Sequence, residues 1–209
     1  ISYSSHQRAL NAWENGYFKK QILEVPEALH KDEGVREETT KEILSQLKPA
    51  FKPDGVITAG NSSQISDGAA ALLLVSEDIL NKFNLEPIAK IRSMAVVGTD
   101  PVLMLSGPIP ATRKALDQAK LKPEDINLAE INEAFSSVVG AWRKEFPEIN
   151  YENVNANGGS IAIGHPLGAT GARLMTNLIH EMKRNKLKYG LQAICEGGGT
   201  ANATIVELV

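Results

Sequence analysis

Apolar and polar positions run in blocks along the chain, and the spacing inside each block predicts an element. Over residues 1–50 polar and charged side chains dominate. There the pattern predicts one helix over Ser5–Lys20, a charged link around Leu29–Glu38 and an amphipathic helix over Thr39–Leu47. The apolar positions are too sparse for a self-sufficient core, so this segment is expected to pack on something else. Pro49, Pro53 and Asp54-Gly55 punctuate the chain and suggest a domain border. After it come a short β-type run, Val56–Gly60, a polar turn, Asn61–Gln64, and a strongly apolar helix over Ala69–Leu80 that Asp67-Gly68 opens.

The same order then repeats. Ile88–Val97 favours a strand, and Pro108-Ile109-Pro110 leads into a helix over Ala111–Ala119. Ile126–Ile131 reads as a buried strand, Ser136–Phe146 as a helix, Val154–Ala156 as a short strand and Pro166–Arg184 as the longest helix. In that last segment Gly171/Ala172, Met175, Leu178/Ile179 and Met182 recur at helical steps and form one apolar face. Two strands close the chain, Gly190–Cys195 and Asn202–Leu208, separated by Gly197-Gly198-Gly199. Strands alternating with helices imply an α/β protein with a layered sheet, whose functional residues belong on loops at the carboxyl ends of strands.

Composition narrows the function classes. Apolar residues make up 43% and charged residues 22% of the 209, as in ordinary globular proteins. A formal charge of −3 disfavours a nucleic-acid backbone as partner. The single Cys195 excludes an intrachain disulfide and fits a reducing, cytoplasmic location. His6, His30, His165 and His180 are too scattered to suggest a metal-ligand cluster, so no metal is expected. The longest apolar run, Gly68–Val75, is far short of the ~20 residues of a membrane span, and no membrane partner is expected. Residue 1 is Ile rather than Met, from which the chain is expected to begin inside a longer gene product or after processing.

Three loop positions carry candidate chemistry. Pro166 suits a first helical position, which places His165 at a helix amino terminus, where the positive end of the dipole helps keep the ring a neutral base. Its glycine-rich surroundings are equally compatible with a tight turn alone. Cys195 ends an apolar strand before a glycine turn whose backbone N–H groups are suited to an oxyanion; an inert core thiol is the other reading. Asn132, in Asn132-Glu133-Ala134-Phe135, is either a site residue or a helix cap, and Asn61–Ser63 is a polar turn of either kind.

Taken together and in order, Asn132-Glu133-Ala134-Phe135, Asn157-Gly158-Gly159-Ser160-Ile161-Ala162-Ile163-Gly164-His165-Pro166-Leu167-Gly168-Ala169-Thr170-Gly171 and Cys195-Glu196-Gly197-Gly198-Gly199 resemble the thiolase family. The likeness extends upstream through Thr58–Ala71 and Ser5–Ala12, and it is to the latter half of a thiolase. The resemblance implies a thiolase-like layered α/β fold. It implies residues 1–53 as the end of a loop domain, 54–84 as the last strand and helix of the amino-terminal domain, and 85–209 as the carboxyl-terminal domain. It implies an acyltransferase that cleaves 3-ketoacyl-CoA with CoA or runs the reverse Claisen condensation. The family's acylated nucleophilic cysteine lies in the half without a counterpart here, so this chain is expected to be inactive alone.

On that resemblance His165 activates the nucleophile and helps bind the thioester oxygen, and Asn132 holds a water beside it. Cys195 is the second acid/base, the Gly197 N–H adds to an oxyanion hole, and Ser63 matches a position that contacts the pantetheine of CoA. Coenzyme A or acyl-CoA enters as substrate, no covalent cofactor is implied, and the complete protein is expected to be a homodimer or homotetramer. Glu196 departs from the apolar residue many members carry and is expected to point away from Cys195. A non-catalytic acyl-CoA or lipid-carrier module is the alternative, against which the retention of His165, Asn132 and Cys195 together argues. Decarboxylating ketoacyl synthases usually carry His where Asn132 and Cys195 stand here.

Overall fold

A computed structural model describes all residues, 1–209. Seven helices are formed: α1 (Ser2–Glu14), α2 (Lys41–Ser45), α3 (Glu77–Phe83), α4 (Pro108–Ala119), α5 (Ser136–Glu145), α6 (Ser160–Ile163) and α7 (Thr170–Asn185). Four strands, β1 (Ala89–Gly98), β2 (Leu128–Ile131), β3 (Tyr189–Cys195) and β4 (Thr200–Leu208), make one sheet in the order β1-β4-β3-β2. β4 runs antiparallel to both β1 and β3, whereas β2 and β3 are parallel. No helix is long and apolar enough to cross a membrane.

Alternation along the strands splits the core in two. Ala129 and Ile131 of β2, Leu191 and Ala193 of β3, and Ala201, Ala203 and Ile205 of β4 face Ala111, Ala115 and Leu116 of α4 and Val139 and Trp142 of α5. Leu128 and Val206 face the other way, onto Leu178 and Met182 of α7. Pro108 at the head of α4 needs no hydrogen-bond partner for its nitrogen, and Lys120 in the left-handed conformation ends that helix. The Trp142 indole N–H, fully buried, donates to Thr112 Oγ1 at 2.9 Å, which joins α5 to α4.

Several expected elements take another form. The first helix ends at Glu14 and gives way to turns, short of the expected Lys20. The run Val56–Gly60 is not a strand. Thr58 makes only an isolated bridge to Pro49, and the side chains of Thr58 and Asn61 bond the backbone locally to form a short 3-10 turn over Ala59–Asn61. The apolar run from Ala69 is not a helix either, and regular structure resumes only at α3. Leu73 and Leu74 are 81% and 67% exposed, so no element of this chain covers the face that such a helix would need. α3 starts where Ser76 Oγ accepts from Ile79 N and Glu77 and Asp78 complement the helix dipole. Val154–Ala156 is reduced to one bridge between Val154 and Ala129.

Candidate active site

The longest helix begins at Thr170, not Pro166. Residues Pro166–Ala169 form a turn in which Pro166 O accepts from the N–H groups of Ala169 and Thr170. His165 therefore stands outside the helix. Burial alone holds the half-buried ring below its ordinary pKa, so the expected dipole effect is replaced by desolvation.

Hydrogen bonds select the ring's tautomer. His165 Nδ1 lies 2.6 Å from Thr170 Oγ1, and that hydroxyl donates its one proton to Pro166 O at 2.9 Å. The arrangement in which that hydroxyl accepts from Nδ1–H leaves Nε2 its lone pair toward the Asn132 NH2, a donor, and so satisfies both ring nitrogens. Nε2 faces Asn132 Nδ2 at 3.5 Å. The other end of that amide, Oδ1, accepts from Ser160 Oγ at 2.6 Å, which turns the NH2 end toward the ring.

Cys195 ends β3 beside the same amide. Burial raises its thiol above the ordinary value; its own backbone and the Asn132 side chain act in the opposite direction, and Glu196 adds a small upward push. The Glu196 side chain itself is exposed and accepts from Asn202 Nδ2 at 2.7 Å. Gly197 lies on the exposed turn that follows, with Gly198 at φ +77° completing it. Asn132, His165 and Cys195 are thus gathered around one amide, from loops 33 and 63 residues apart along the chain. Ser63 N–H donates to Ala134 O, two residues past Asn132, at 3.0 Å, next to an antiparallel bridge between Ser62 and Phe135.

The supporting residues are less visible in sequence. Glu133 is fully buried and accepts from Ser5 Oγ at 2.7 Å, Asn155 Nδ2 at 3.0 Å and Ile161 N at 3.0 Å, pinning α1, β2 and α6 together. Gln64 accepts from His165 N through its backbone oxygen at 3.0 Å. Ser160, Thr170 and Gln64 were absent from the expected set. The hydroxyls in the glycine-rich run were the only sign of the first two, and nothing local marked Gln64. Among the histidine, cysteine and acidic side chains no group of three converges as a metal-ligand set would.

Comparison with known proteins bears on this arrangement. The family model described as thiolase, C-terminal domain, matches residues 85–208, and that described as thiolase, N-terminal domain, matches residues 2–78. A steroid 3-ketoacyl-CoA thiolase of Mycobacterium tuberculosis is 49% identical over 209 residues, covering 99% of this chain and 51% of that protein. A 3-ketoacyl-CoA thiolase of Klebsiella pneumoniae is 46% identical over 216 residues, covering 98% and 56%. Among solved structures, the Bacillus anthracis acetyl-CoA acetyltransferase superposes with a TM-score of 0.94 at 42% identity, over 100% of this chain and 55% of that one. Human mitochondrial 3-ketoacyl-CoA thiolase in complex with CoA gives 0.92 at 36%, over 100% and 53%. The chain spans about half the length of the relatives it matches.

Proposed function

Because this chain belongs to the thiolase family and has its α/β fold, we propose that it supplies the acid/base half of a thiolase active site: CoA-dependent cleavage of 3-ketoacyl-CoA, or the reverse Claisen condensation. The observation that carries this reading is the Asn132 amide, whose Nδ2 faces His165 Nε2 at 3.5 Å, while Asn132 N donates to Ala193 O two residues before Cys195 at the end of β3. Cys195 is the only cysteine in the chain, so the nucleophile that becomes acylated comes from the other half that the relatives possess.

The division of labour follows from the two protonation states. A neutral imidazole with an open Nε2 accepts the proton of the attacking thiol, and the resulting thiolate adds to the 3-keto carbon. When the bond between C2 and C3 breaks, its electron pair goes to C2 as the enolate of an acyl-CoA. Cys195, kept protonated by burial, gives C2 its proton, and the Gly197 N–H faces the charge on the enolate oxygen. CoA thiol then takes the acyl group, its proton passing to Cys195, and the nucleophile leaves as a thiolate that the His165 imidazolium reprotonates. Condensation runs these steps backwards, with Cys195 as base. Ser63 contacts the pantetheine arm of CoA. Residues 1–53, 54–84 and 85–209 are the loop-domain end, the last part of the amino-terminal domain and the carboxyl-terminal domain in this reading. Homo-oligomeric assembly belongs to the same proposal and rests on the family likeness, whereas a cytoplasmic location rests on the single, unpaired Cys195.

The test joins this chain to the remaining half of a thiolase and follows acetoacetyl-CoA thiolysis, with intact mass after acetyl-CoA. Turnover that Cys195→Ser and His165→Asn each reduce by at least about 100-fold supports the reading. Acyl-CoA binding with no turnover and no acyl adduct favours the carrier reading, and acylation of Cys195 itself reverses the roles.

A further inference from the structure

The helix that leads into His165 is one turn long, so its last carbonyls have no partners within it. Gly164 N bonds Ser160 O, and side chains from elsewhere cap the other three carbonyls. Gln64 Nε2 donates to Ile161 O at 2.8 Å, with Ala162 O at 3.2 Å sharing the bond, and Arg173 Nη1 donates to Ile163 O at 2.6 Å. Each of these two side chains has a second contact, and both second contacts fall on the same segment, residues 32–36. Gln64 Nε2 also donates to Gly34 O at 2.8 Å, and Arg173 Nη2 pairs with Asp32 Oδ2 at 2.5 Å.

Two further contacts seat that segment. Val35 packs on Ala162 and Ile163, and Arg36 N donates to the buried His6 Nδ1 at 3.2 Å. A Cβ at Gly34 would press on Ala162 O and the Gln64 amide, so the strap lies flush against the helix. The Gln64 backbone oxygen accepts from His165 N, which extends the clamp across the turn to the ring's own residue. The His165 ring itself hydrogen-bonds only Asn132 and Thr170, neither of them part of this clamp.

We propose that Gln64 and Arg173 are positioning residues for His165: they cap α6, hold the 32–36 strap against it, and together set where Nε2 stands relative to Asn132. This rests on the catalytic role given to His165 above. A one-turn helix without caps frays, and the Gly164–His165 peptide that it carries shifts with it. Displacement of a base by a fraction of an ångström lowers the chemical step far more than it weakens binding of a substrate held elsewhere.

The test uses Gln64→Met and Arg173→Met, which keep side-chain bulk and remove the donors, in the complete enzyme. Two readouts apply: steady-state kinetics, and the NMR signals of the His165 ring, assigned by their loss in His165→Asn. Each variant is expected to lose about 5- to 20-fold in kcat with KM for CoA within about twofold, and to displace or broaden the ring signals. The double variant should lose little more than the worse single one, because both act on the same helix end. Arg173→Lys should recover part of the loss. Folded Met variants with unchanged kcat and unshifted ring signals, or a fall in Tm alone, overturn the proposal.

If Gln64→Met does not fold, Asp32→Asn, at a partly exposed position, reports instead. It should lower kcat about two- to threefold and move the ring signals, and unmoved signals overturn the proposal. If the wild type has no thiolase turnover, the functional reading fails, and the ring signals in the same variants still decide whether Gln64 and Arg173 position His165.

Discussion

Replacing Thr170 by Val is the sharpest test of the tautomer argument, because the two side chains have nearly the same shape and differ in one hydroxyl. Thr170 is 2% exposed, and Pro166 O keeps two backbone N–H donors when the hydroxyl is gone. The group left unpaired is therefore His165 Nδ1–H, now at 2.6 Å from an acceptor. An unsatisfied buried donor costs about 1–3 kcal/mol, and a half-buried ring should sit near the lower end. A bias of about 1 kcal/mol removed from the Nδ1–H tautomer changes the tautomer ratio roughly fivefold, and Nε2 is blocked as a base in the other form. We expect kcat for thiolysis in the complete enzyme to fall by about two- to fivefold with KM for CoA nearly unchanged, fivefold being the most that this change in ratio removes from the reactive tautomer. Thr170→Ser, which keeps the hydroxyl, should stay within about twofold of wild type. The nitrogen chemical shifts of the His165 ring read the tautomer directly, without turnover. Equal kcat and an unchanged tautomer in Thr170→Val would refute the reasoning, as would an equal loss in Thr170→Ser.

Further outcomes follow from the buried acids and from the turn. Glu130 is fully buried, neither carboxyl oxygen has a partner, and burial followed by the nearby Glu133 and Glu181 holds it well above its ordinary 4.5. Its folded form keeps a proton that the unfolded chain releases, so stability is complete below about pH 4.5 and falls as pH rises toward the folded value. Glu130→Gln should therefore be more stable than wild type at neutral pH, with the gap in denaturation midpoint widening from pH 5 to 8; a gap that closes over this range would contradict the argument. At Gly159 a Cβ would overlap the Glu133 carboxyl, so Gly159→Ala should displace a buried acid that holds Ser5, Asn155 and Ile161. A loss of about 1–3 kcal/mol in chemical denaturation is expected from the overpacking, and no measurable loss would show that Glu133 is not the pin described. Glu196 is exposed and only a minor influence on Cys195, so Glu196→Ile should leave turnover within about twofold, and a larger fall would give this side chain a role at the thiol.

What the sequence determined by itself was whatever is written in neighbouring positions. The faces of α4, α5 and α7 and the strands of the sheet follow from spacing, because helix and strand periods act over a few residues. Asn132, His165, Cys195 and Gly197 form a proposed set through the resemblance of their motifs, taken together, to the thiolase family; each motif alone also fits a purely structural role. The same local reasoning misplaced the run from Ala69, since an apolar stretch without a packing surface has no reason to coil, and it put His165 at the mouth of a helix expected from Pro166 that begins only at Thr170. Only the tertiary structure decided that the Asn132 amide meets the His165 ring, that Thr170 bonds the ring's other nitrogen, and that Gln64 bonds carbonyls 97 and 98 residues away. Those choices depend on which orphaned polar group a folded chain brings within reach of which donor, and spacing along the chain does not encode that distance.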